Sequence, residues 1–123
     1  MKLADTIQTA DWKKEKHAPV IECPDEVKAG EVFEATVSVG KEIPHPNTVE
    51  HHISWISLYF QPEGDKFPYQ VGHFEFNGHG EGTVFTFPAA TVALKVDKPG
   101  VLRGLSFCNL HGLWESSKEI GVG

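Results

Sequence analysis

Seven histidines and two cysteines are the side chains of this 123-residue chain best able to hold a metal or transfer electrons. Most of them gather in three short stretches: Glu15-Lys16-His17-Ala18-Pro19, His45-Pro46-Asn47-Thr48-Val49-Glu50-His51-His52, and Cys108-Asn109-Leu110-His111-Gly112-Leu113-Trp114. In the third, a Gly-containing turn folds the chain back, so the Cys108 thiolate and the His111 imidazole can reach one metal ion. Backbone N–H groups near Asn109 and Leu110 are then placed to hydrogen-bond the sulfur and tune its donor strength. Alone, C-x-x-H more often describes a buried cysteine beside a surface histidine. In the second stretch, Pro44 and Pro46 hold His45 extended. His51 and His52 are adjacent and point to opposite faces of a strand, so only one can share a metal with His45, and strand parity does not choose between them. The first stretch, with Lys13, Lys14 and Lys16 around Glu15, reads alone as a solvated charge run. Taken together, imidazoles with one thiolate suit iron, copper or zinc rather than magnesium or calcium. Four histidines plus a cysteine also exceed the four ligands of a closed structural zinc site.

The elements that must position these residues read as short strands. Glycine and proline, 12 and 8 in number, punctuate the chain at short intervals. Phe33, Ala35, Val37 and Val39 share one parity within 31–39, the half-buried strand pattern. Residues 52–61 are apolar on both parities, as in a central strand. Further strands are expected at 69–76, 83–87, 91–96, 101–108 and 118–122, with turns at 62–65, 77–82 and 97–100. No amphipathic helix is evident; the N-terminal residues hold at most a helical turn. Strands at this spacing predict an antiparallel β-sandwich. The length fits one domain over 1–123. The net charge of −6 and the lack of a basic stripe exclude nucleic acid on charge grounds. No apolar run is long enough to span a membrane. The N-terminus has no apolar signal core, so the expectation is a cytoplasmic protein whose Cys23 and Cys108 are both free thiols.

EKHAP at 15–19, KEIPHPNTVEHHI at 41–53 and FCNLHGLWE at 107–115 resemble, in order and nearly in spacing, the three signature segments of the superoxide reductase family. The similarity is greatest to the small single-iron neelaredoxin type, and it covers essentially the whole chain. It implies an all-β, immunoglobulin-like antiparallel seven-stranded sandwich holding one mononuclear iron (Fe2+/Fe3+). It implies His17, His45, His51 and His111 as equatorial ligands, Cys108 as axial thiolate, and Glu15 as a ligand in the oxidised resting state only. Lys16 corresponds to the lysine that attracts the anionic substrate. The implied reaction is superoxide plus one electron plus two protons giving hydrogen peroxide. The implied partners are a rubredoxin or similar electron donor and further copies of the chain in a homotetramer. His52, His73, His79 and Cys23 match no ligand position. The longer family type has an N-terminal domain with a four-cysteine iron, which this chain lacks the thiols to form. The segment 77–90 is shorter than its family counterpart, and it is expected to lie away from the ligands.

Three other readings compete. A cupredoxin-like electron carrier would share the sandwich and the Cys/His pair, but blue copper usually adds a methionine ligand, and Met1 is the only methionine. A structural zinc site would leave ligands unused. A cysteine hydrolase on Cys108 has no orienting motif to support it.

Overall fold

The computed structural model describes residues 1–123. After a 3-10 turn at Leu3–Thr6, the strands are β1 Gln8–Thr9, β2 Val20–Glu22, β3 Glu26–Val27, β4 Phe33–Ser38, β5 Ile53–Pro62, β6 Tyr69–Glu75, β7 Ala89–Leu94, β8 Gly100–Cys108 and β9 Gly112–Val122. A second 3-10 turn occupies Glu81–Thr83. Setting aside β1 and β3, of two residues each, seven strands remain. They form two antiparallel sheets, one ordered β9-β8-β5-β6 and the other β2-β4-β7. The two short strands run parallel to β9, β1 at its start and β3 at its end. The architecture is the expected all-β sandwich. No helix is long and apolar enough to cross a membrane.

The alternation read in 31–39 holds, with Ala35, Val37 and Val39 all buried. They meet Ile56, Leu58, Phe60, Leu102 and Ile120 of the larger sheet in one continuous core. Burying each such aliphatic or aromatic side chain stabilises the fold by about 1.5–3 kcal/mol, so the frame does not depend on a metal for its core. On β8 the inward row is Leu102, Gly104, Ser106 and Cys108, each buried, while Val101, Arg103, Leu105 and Phe107 are half-buried. Cys108 ends this row, which carries its sulfur from the core to one end of the sandwich.

Two expectations are corrected. Residues 83–87 are not a strand: Thr83 adopts a left-handed φ of 64°, and only Phe85 makes a bridge, to His79. Val84, Phe85 and Phe87 are exposed, so nothing covers the apolar residues that suggested a strand there. The last strand is much longer than 118–122, because β9 pairs with β8 from Gly112 to Ile120.

Candidate metal centre

Three loops meet at the end of the sandwich where Cys108 emerges. β8 and β9 are joined by a three-residue turn, Asn109 to His111, closed by the Cys108–Gly112 pair. Gly112 has a φ of 77°, the left-handed value such a turn requires. The turn brings His111 Nδ1 to 3.7 Å from Cys108 Sγ. The loop carrying His45 turns back at Gly40 (φ 88°), where a Cβ would lie 2.9 Å from the His45 nitrogen. The segment 15–19 crosses the end of the sandwich and is pinned from below: the buried Ser106 hydroxyl donates to the His17 carbonyl at 3.1 Å.

The result is a square of imidazoles. Ring centroids are separated by 4.8 Å for His17–His45, 4.7 Å for His45–His51, 5.0 Å for His51–His111 and 4.9 Å for His111–His17. The diagonal His17–His51 is 6.4 Å. Neighbouring rings stand edge to face at 67–77°. The sulfur, fully buried, lies 3.5 Å from His45 Nε2 and 3.7 Å from His111 Nδ1, atoms on opposite corners of the square. Ligand atoms of His17, His45, His51 and Cys108 all lie within 4.8 Å of one another. His111 Nδ1 joins them at 3.1 Å from His17 Nε2.

Hydrogen bonds orient these donors. His45 Nδ1 donates to the Pro46 carbonyl at 2.7 Å, which leaves Nε2 with a lone pair toward the sulfur. His17 Nδ1 donates to Glu15 Oε2 at 2.5 Å, which leaves its Nε2 free in the same way. His51 Nε2 is buried with no partner in the protein at all. A buried, unpartnered imidazole nitrogen is costly unless something accepts its lone pair. Together with the four-imidazole, one-sulfur donor set, it fits a transition-metal ion. Burial pushes the His45 imidazole down to about 4, against the pull of the Pro46 carbonyl and with help from the charges of His17, His51 and Lys16. Burial also lowers His51, followed by the charges of His111 and Lys16. Both rings are thus held neutral, the form that ligates.

The sequence-predicted residues fall into place as follows. His17, His45, His51, Cys108 and His111 converge. Lys16 is half-buried, and its charge is felt at both His45 and His51. Glu15 lies on the outer side of His17, where its carboxylate also accepts the backbone N–H groups of His17 and Ala18. Burial raises the Glu15 carboxyl, but hydrogen bonds from the His17 ring and then from the His17 and Ala18 backbone outweigh it and hold it below its ordinary value. Cys23 and Cys108 are both free thiols. The Asn109 N–H expected to face the sulfur is instead donated to the His52 carbonyl at 3.2 Å. The segment 77–90 does not lie away from the ligand loops: Asn47 Nδ2 donates to the Thr86 carbonyl at 3.1 Å, and His79 stacks on His52. Trp114 has a role that spacing did not reveal. Its ring stacks on His17 at 4.7 Å and its Nε1 donates to the His111 carbonyl at 3.2 Å, tying two ligand segments together. The largest cleft, about 420 Å³ beside Gln61 and Arg103, is at the opposite end of β5 and holds none of these residues.

Comparison with known proteins agrees with this geometry. The family model described as Desulfoferrodoxin matches residues 9–117. Neelaredoxin of Megalodesulfovibrio gigas is 59% identical, with 99% of each chain covered. Superoxide reductase of Pyrococcus furiosus is 54% identical, over 93% of this chain and 95% of the relative. The structure of the superoxide reductase (neelaredoxin) of Archaeoglobus fulgidus in the reduced form superposes with a TM-score of 0.87 at 54% identity, covering 95% of this chain and 99% of the other. A family match across most of the chain and relatives of this identity over nearly their full length lead to one conclusion: the chain belongs to the desulfoferrodoxin family.

Proposed function

We propose that the chain is a superoxide reductase, reducing superoxide by one electron to hydrogen peroxide without forming oxygen. The observation that carries the reading is the square of four imidazoles over the Cys108 sulfur, one of whose nitrogens, His51 Nε2, is buried without a partner. His17, His45, His51 and His111 would hold the metal from the corners and Cys108 from one face. A bound ferrous ion would supply the electron and a coordination position for the superoxide anion. Cys108, as the thiolate, would donate electron density to the metal.

The remaining work falls to this chain's own side chains. Lys16 places a positive charge beside the site, drawing an anion toward a protein whose net charge is −6. Its ammonium orders the water that delivers the two protons. Glu15 holds the proton on His17 Nδ1. For Glu15 to serve as a ligand in the oxidised resting state, its carboxylate must leave the His17 ring and the two backbone N–H groups it caps. The whole chain, 1–123, acts as one iron-binding domain, working in the cytoplasm as a homotetramer and re-reduced by a rubredoxin-type donor. The half-exposed Trp114 and the exposed Leu110 border the site and suit a brief contact with such a donor.

The test is metal loading followed by rapid mixing. Protein supplied with iron under anaerobic conditions should hold about one ion per chain. Mixed with superoxide, the ferrous form should yield about one peroxide for each iron oxidised, with no oxygen evolved. A chain that holds no iron when supplied with iron and no competing metal, or that holds it in the ferrous form without reacting with superoxide, would overturn this reading.

A further inference from the structure

The loop from His45 to His51 must hold two imidazoles of the square on irregular backbone. Its internal bonds are few. Thr48 N donates to the His51 carbonyl at 2.9 Å, the Thr48 hydroxyl accepts from His51 N at 3.0 Å, and His52 Nδ1 donates to the Thr48 carbonyl at 2.9 Å. Something outside the loop has to fix it. One tether is Asn109, whose side chain accepts from His52 N at 2.8 Å and donates to the Glu50 carbonyl at 2.9 Å.

The other tether comes from the opposite side, from residues outside all three ligand segments. His79 is 6% exposed. Its Nδ1 donates to Asn47 Oδ1 at 2.8 Å, and the Asn47 amide is oriented for this because its Nδ2 donates to the Thr86 carbonyl at 3.1 Å. The His79 ring also lies flat on that of His52, with centroids 3.6 Å apart and planes 5° from parallel. One side chain thus touches the loop two residues after His45 and one residue after His51. The 77–87 segment is itself braced: Thr86 N donates to the Gly78 carbonyl at 2.7 Å, Gly78 N to Thr86 Oγ1 at 3.0 Å, and Gly80 N to the Val84 carbonyl at 2.8 Å.

We propose that His79 is a positioning residue for the metal centre, clamping the loop 45–52 through Asn47 and His52 so that His45 and His51 keep their corners of the square. The proposal rests on reading His45 and His51 as metal ligands. His79 touches no ligand and no substrate; it acts through the loop. Groups that orient metal ligands in this way typically alter metal affinity by about 10- to 100-fold when removed. The stack and the hydrogen bond are separable: His79→Phe keeps a flat ring on His52 and loses the bond to Asn47, while His79→Ala loses both.

The experiment uses the full chain loaded with Fe2+ and an excess of a ferrous chelator, with the rate of iron release as the main readout. The second readout is the sulfur-to-iron charge-transfer band of the oxidised protein, which reports ligand geometry and which a purely structural role would not move. Urea midpoints of the metal-free variants give the change in general stability. Release about 10- to 100-fold faster in His79→Ala, with a shifted band and an intermediate value for His79→Phe, is the expected result. Asn47→Ala should follow His79→Phe, which keeps the test usable if His79→Ala does not fold. Release within twofold of wild type in the folded variants overturns the clamp and leaves the site assignment standing. Faster release that merely tracks a lowered urea midpoint, with the band unmoved, also overturns it. Failure of the wild-type chain to hold iron overturns the site reading and the clamp together.

Discussion

Replacing Glu15 with alanine removes three hydrogen bonds to one carboxylate: from the His17 ring, the His17 backbone and the Ala18 backbone. The two backbone donors belong to residues that are 6% and 1% exposed, so they cannot turn to solvent. A buried donor left without a partner costs about 1–3 kcal/mol, and a bond to a charged group contributes about 1.5–3 kcal/mol. The Glu15 side chain is 25% exposed, which weakens its charged contribution. The expected loss for Glu15→Ala is therefore about 2–4 kcal/mol, less than the sum of the separate bonds. For a domain of this size that corresponds to a melting temperature lower by roughly 10 °C. Urea unfolding of the metal-free protein, followed by far-ultraviolet circular dichroism, measures it directly. Glu15→Gln keeps an acceptor for the backbone N–H groups but no charge, and should recover about half of the loss. A midpoint for Glu15→Ala equivalent to less than about 0.5 kcal/mol below wild type would refute the reasoning, because that is the ordinary range for surface substitutions.

Lys16→Ala should slow the reaction of the ferrous protein with superoxide by about tenfold at low ionic strength and by less in high salt; an unchanged, salt-independent rate in rapid mixing would remove its steering role. Ser106→Ala leaves the buried His17 carbonyl without its donor and should cost about 1–2 kcal/mol in urea unfolding, and a midpoint equal to wild type would contradict that. The exposed Asp25 is held below its ordinary value of 3.8 by its hydrogen bond to Lys118 and then by that residue's charge. The pair's contribution is therefore fully present above 3.8 and is lost as pH falls through the lower folded value. Asp25→Asn should lower the urea midpoint slightly near neutrality and not at the acid end, and an equal change at both would refute the linkage.

Much of this site was legible because its donors sit in compact local patterns. Cys108 precedes and His111 ends a three-residue turn closed by a glycine, and both the alternation of β8 and the turn can be read from residue order. Strand parity failed to choose between His51 and His52 for a physical reason. The register of β5 against β8 shifts between Ile53 and Trp55, so Ile53 and Ile56, of opposite parity, both face the core. Counting back from Ile56 therefore misleads at the residues that matter. The choice of His51 rested on family resemblance, and the structure places that ring in the square. The roles of Trp114 and His79 were hidden for a different reason. Each acts by stacking on a residue far away in the chain, and no spacing rule reports such contacts. Residues 83–87 looked like a strand because all five, Thr83, Val84, Phe85, Thr86 and Phe87, are β-branched or aromatic. That pattern carries information only where a sheet face is available to cover it, and here those side chains stay exposed.

The donors are gathered on a frame whose core is complete without any ion, and this has a consequence for how the protein acquires its metal. A scaffold that folds first and is loaded afterwards does not reject a competitor by failing to fold around it. Imidazole and thiolate donors bind copper and zinc more tightly than ferrous iron. Occupancy by the productive ion is then governed by the free concentrations of the competing metals when a newly made chain first meets them. The identity of the ion becomes a property of the cell's metal economy as much as of the polypeptide. Chains made during iron shortage would carry zinc at this centre, intact in architecture and silent toward superoxide.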